Sequence, residues 1–229
     1  MVSAKSMVFD TSSIISLVTN NMLWILPPLK KVFKGDFLVP KAVHDEMISV
    51  PLRSKKFKFE AMVVCEYIHK GVITSCRNMN LAPQTSSLLE VTNNIFKTKG
   101  RSLAVFQAGE VEAVILATLR GSEVVVTDER SMRLLLEDPK RLANLLSKKL
   151  HSNVKIDKKR LSEFKSRTKD LKVMRSTELA LMAYELGLLD NFLQNHSKGE
   201  LLEAVLWGLK TRGCAISPQE IDDYIRIES

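Results

Sequence analysis

Two acidic side chains stand directly behind short, strongly apolar runs: Asp10 follows Met7-Val8-Phe9, and Asp128 follows Val124-Val125-Val126-Thr127. Glu46 falls inside a segment that opens after Pro40, and Glu110 and Glu112 precede the apolar body Ala113-Val114-Ile115-Leu116-Ala117. Carboxylates gathered at one place raise one another's pKa unless a cation neutralises them. An all-oxygen donor set of this kind suits Mg²⁺ or Mn²⁺, ions that can activate water against a phosphodiester. Each acid alone has a plainer role. Asp10 could cap a helix, Glu46 could lie on the surface, and Glu110 and Glu112 could complement the charge of a helix N-terminus. The coincidence of Asp10, Glu46, Glu112 and Asp128 at corresponding ends of elements favours a joint metal site over those separate roles.

The elements that must position these acids alternate in type. Residues 7–9, 37–39 and 124–126 read as buried strands, 72–76 as a further strand, and 171–174 as the last one. Helices are expected from Ile14 onward, over 41–49, 57–70, 83–97 and 108–117, then from 132 to about 150, over 158–169 and 177–189, and after the capping box Ser217-Pro218-Gln219-Glu220. A small extra strand is expected at 153–156. Short strands alternating with helices predict an α/β fold with a doubly wound parallel sheet, whose ligands gather at the carboxyl ends of the strands.

The stretches Val8-Phe9-Asp10-Thr11-Ser12, Val39-Pro40 through Glu46, Gly109-Glu110-Val111-Glu112-Ala113 and Val126-Thr127-Asp128-Glu129-Arg130 resemble, in order and spacing, the four acidic motifs of the PIN-domain family. Residues 174–189 are similar to the end of those PIN proteins that carry a Gly-Glu-x-Glu-Ala motif. The resemblance covers roughly 1–133 and 171–229, and it implies a metal-dependent endoribonuclease. Asp10, Glu46, Glu112 and Asp128 match the family's first to fourth acids. Glu110 is the substitute for Glu112, and Glu129 is the substitute for Asp128. Thr11, Ser12 or Thr127 could position water there, or serve only as caps and turn residues. The resemblance also allows a homodimer. Further readings are a non-catalytic RNA- or ribosome-binding scaffold, or a toxin held by an antitoxin; the length of 229 residues weakens the last.

The net charge of +8 is unevenly spread: residues 137–176 carry 13 basic and 5 acidic side chains, whereas 177–229 carry 4 and 9. The whole of 1–229 is expected to be one PIN-like domain, with 134–170 a basic helical insertion before the last strand and 177–229 completing the domain as helices. Within and beside the insertion, Lys148, Lys149, Lys158, Lys159 and Arg160 are candidates for RNA phosphates. Arg130 and Arg133 could contact the scissile phosphate or pair with the acids. Phe164 is the one aromatic residue in the basic segment, which favours structured RNA over stacked single strands. A charged hairpin with no nucleic-acid role is equally compatible with the charge alone.

No GxGxxG, P-loop or Gly-x-Ser-x-Gly motif occurs, so dinucleotide binding, P-loop chemistry and serine-hydrolase chemistry have no support. Three cysteines without a CxxC pair suggest neither a disulfide framework nor a zinc site, and fit a reducing cytoplasm. An N-terminal apolar stretch broken by Asp10, Asn20 and Asn21 predicts neither a signal peptide nor a membrane span.

Overall fold

The computed structural model describes residues 5–169 and 171–228. Five strands form the central sheet: β1 (Ser6–Phe9), β2 (Asp36–Val39), β3 (Thr74–Ser75), β6 (Val124–Val126) and β8 (Lys172–Met174). Their order is β3-β2-β1-β6-β8 and every neighbouring pair is parallel. The order reverses direction between β1 and β6, and at such a switch point the two flanking connections leave on opposite sides and open a crevice.

Side chains alternate across the sheet as the period of two requires. Met7, Phe9, Phe37, Val39 and Val126 face one layer of helices, while Val8, Leu38 and Val125 face the other. The first layer holds α1 (Thr11–Thr19), α2 (Leu26–Phe33), α4 (Lys58–His69), α10 (Ser176–Glu185), α11 (Lys198–Thr211) and α12 (Pro218–Glu228). The second holds α5 (Ala82–Thr92), α6 (Ala108–Arg120), α7 (Arg130–Glu137), α8 (Pro139–Leu150) and α9 (Lys158–Arg167). Truncating Phe9, fully buried between strand and helix, would remove roughly 3–5 kcal/mol of packing. The last helix is tied in by Arg175, whose guanidinium bonds Glu178 and Glu220. At the entrance to β2 the chain passes so close to β1 that a Cβ on Gly35 would run into the carbonyl of Lys5.

Several expectations are corrected in detail. The helix expected over 83–97 ends at Thr92, and Phe96–Thr98 instead forms β4, paired antiparallel with β5 (Arg101–Ser102) and with β7 (Val154–Ile156). The strand expected over 72–76 pairs only at Thr74 and Ser75. The helix over 41–49 consists of α3 (Lys41–His44) and a wider π turn, Asp45–Ser49, in which the Val50 amide reaches back to Asp45. The basic stretch between β6 and β8 packs into the second layer. Leu134, Leu135, Leu142, Val154 and Phe164 share one core with Leu88, Val91 and Phe96, so α7 to α9 and the second sheet are built into the layer.

Candidate active site

Residues leaving the carboxyl ends of β1 and β6 meet at the switch point. The amide of Asp10 donates to the carbonyl of Val126, which fixes the end of β1 against β6. Asp10 is 4% exposed. Its Oδ2 accepts from the hydroxyls of Ser12 at 2.8 Å and Thr127 at 3.0 Å. Those hydroxyls in turn accept from the amides of Asp128 and Glu129, both close to 3.0 Å, so the two strand ends are laced together through Asp10. Both hydroxyl protons act on one oxygen, and the Thr11 amide is a further donor to the carboxylate.

A cavity of about 250 Å³ opens beside Asp10 and is lined by Glu46, Glu110, Glu129 and Gln107. Glu46 reaches it from the π turn and accepts the Thr11 hydroxyl at 2.8 Å. Glu110 comes from the first turn of α6, and its Oε2 is buried without a hydrogen-bond partner. Glu129 heads α7 and accepts a long bond from the Ser131 amide at 3.5 Å.

Burial pushes the Asp10 carboxyl above its ordinary range. The Ser12 and Thr127 hydroxyls and the Thr11 amide oppose that shift, and the Glu46 charge adds to it. Glu110 is pushed up to about 8, chiefly by burial and then by the charges of Asp10, Glu129 and Glu46. The pocket therefore carries more negative charge than its surroundings stabilise.

Two of the four acids expected to converge turn elsewhere. Glu112 lies two residues beyond Glu110, a rotation of about 200° on a helix, so the pair cannot share one side. Its Oε1 accepts the Ala42 amide at 3.0 Å and caps the start of α3, beside a separate groove lined by Arg77 and Asn80. Asp128 is buried at 3% exposure and points inward, because successive residues leaving a strand face opposite ways. Its carboxylate accepts the Ser176 amide at 2.8 Å and the Ser176 hydroxyl at 2.6 Å, which holds the start of α10. Glu110 and Glu129 occupy the pocket in their place. Gln107 and Ile15 also line it, and nothing in the sequence marked either.

Arg130 is exposed next to Glu129. Arg133 is withdrawn, with its side chain 14% exposed and paired to Glu137 at 3.3 Å. Lys148 and Lys149 are exposed in the last turn of α8, and Lys158 and Lys159 in the first turn of α9, so the two pairs flank β7. Arg160 is held by Glu163 and Glu90, at 3.2 and 3.6 Å.

The donor set fits a hard divalent ion in kind, being all carboxylate and including an orphaned buried oxygen on Glu110. Among the described residues, however, no three His, Cys, Asp or Glu side chains are grouped closely enough to hold one ion unaided. No helix among them is long and apolar enough to cross a membrane. No family model, curated protein or solved structure matches the chain.

Proposed function

We propose that the chain is a PIN-like, metal-dependent endoribonuclease whose site is Asp10, Glu46, Glu110 and Glu129. The observation that carries this reading is the orphaned Glu110 oxygen among three further acids at the switch point of a parallel sheet. A buried carboxylate normally has a partner; here the neighbours are acids, and a cation is the partner they lack. One or two of the four carboxylates would hold Mg²⁺ or Mn²⁺ directly, with waters linking the ion to the others. When bound, the ion would supply Lewis-acid activation of water and offset charge on the scissile phosphate.

The protein's own groups prepare the site. Ser12 and Thr127 fix the rotamer of Asp10, and Thr11 fixes that of Glu46, so neither carboxylate must be ordered when substrate arrives. Arg130, exposed beside Glu129, is the nearest sequence neighbour able to take a substrate phosphate. The exposed lysines flanking β7 supply the wider attraction for RNA.

A second reading, a non-catalytic RNA-binding scaffold, is favoured by the lack of a preformed three-ligand group among the described residues. Cleavage of a mixed RNA pool with Mg²⁺ or Mn²⁺ separates the two. Wild type should cut, and Asp10→Asn and Glu110→Gln should not. If all three proteins bind RNA and leave it intact, the nuclease reading falls and the scaffold stands.

A further inference from the structure

The second sheet carries a charge arrangement that packing does not explain. Lys97 in β4 and Lys155 in β7 are directly paired across the ladder. Both side chains stand on the outer face, since Phe96 and Val154 point into the core. Like charges placed opposite each other on a sheet are destabilising. Asp157 relieves one of them, bonding Lys97 at 2.8 Å through Oδ2 while its Oδ1 caps the first amides of α9. Lys155 has no ion-pair partner among the described residues. Lys99 adds a third ammonium from the β4–β5 turn, where Lys99 and Gly100 adopt left-handed φ values of 48° and 77°. These side chains line an open groove of about 410 Å³ with Ser152 and Asn153.

The groove is also tethered to the acidic pocket. Only residues 103–106 separate the end of β5 from Gln107 in the pocket wall, so Ser102 and Gln107 lie at most about 18 Å apart. That connection is pinned by Asn93, whose Oδ1 accepts the amides of Val105 and Phe106, each at 2.9 Å, and whose Nδ2 donates to the Phe106 carbonyl at 3.1 Å.

We infer that the groove between the β4–β5 turn and β7 anchors the phosphodiester backbone of an RNA strand that extends to the acidic pocket. The inference rests on the RNA reading above and adds the surface that holds the strand. Lys99 and Lys155 take phosphates, and a bound polyanion removes the repulsion between Lys97 and Lys155. Contacts of this kind position a strand without reading its sequence.

The test is RNA binding by fluorescence anisotropy in chelator, using labelled single-stranded and stem-loop RNA. Lys99→Ala/Lys155→Ala leaves the Lys97–Asp157 bond intact. It should weaken binding about tenfold at low salt, and flatten the slope of log affinity against log salt by roughly 1.4 for single strands. Lys31→Ala/Lys198→Ala, which removes equal charge from exposed sites on α2 and α11, should bind as wild type does. The inference is overturned if the groove variant keeps wild-type affinity and slope, or if the control pair loses as much. Failure of the nuclease reading registers separately, as intact RNA after incubation of wild type with Mn²⁺, whatever the binding series gives.

Discussion

Asp10 receives both of its hydroxyl protons on one oxygen, whereas Glu110 receives none on its buried one. The two acids are therefore expected to differ in what they cost the empty protein. Glu110 has a folded pKa near 8 against an ordinary 4.5. The folded state binds the extra proton between those values, so this group favours folding below about pH 4.5, and that contribution disappears as pH rises through 8. In chelator, wild type should melt several degrees lower near pH 9 than near pH 6, and Glu110→Gln should flatten the difference; equal slopes for the two proteins would refute the assignment. For activity, Asp10→Asn and Glu110→Gln should each lower RNA cleavage by about 100-fold or more, on the scale of a lost charge-stabilising group. Glu112→Gln should stay within a few-fold of wild type. Asp128→Asn should act on stability instead, because one of the two oxygens that accept from Ser176 becomes an amide nitrogen that donates; about 1–3 kcal/mol is expected by denaturant titration.

The elements show why neighbouring acids are hard to tell apart from sequence. The apolar runs of β1, β2 and β6 and the body of α6 were legible because burial on both faces leaves an unbroken hydrophobic signature. The parallel sheet followed from them, whereas the strand order and the switch point came only from the pairing of the strands. Which member of Glu110/Glu112 and of Asp128/Glu129 enters the pocket depends on the phase of α6 and on the turn leaving β6, and a shift of one or two residues reverses either. The β4–β5 hairpin was hidden for another reason: Phe96–Thr98 pairs with Val154–Ile156, nearly sixty residues away, and reads locally as the tail of a helix. Asn93, which ends that helix and holds the connection to α6, carries no motif at all. Asn93→Ala leaves the amides of Val105 and Phe106 without their acceptor. It should cost about 1–3 kcal/mol and speed hydrogen exchange over 103–107 while exchange in β1 stays protected.

At the scale of the molecule, the basic stretch between β6 and β8 is part of the core layer. Removing 137–170 would bare Leu88, Phe96 and Leu135, so the deleted protein should aggregate or melt without cooperativity, as light scattering and thermal unfolding would reveal. A soluble, cooperatively melting deletion would mean the layer is not shared. Point changes at the lysines are the sound way to question RNA binding. The same packing sends the two charged stretches to opposite sides of the central sheet: 137–169, with 11 basic and 4 acidic residues, lies over one face, while most of 177–228, with 4 and 9, lies over the other. Such a molecule has an electric polarity across its thickness, and the field of a polyanion would turn it before contact. Encounters with the RNA proposed above as substrate should consequently be oriented ones. Added salt should slow association far more than it hastens dissociation.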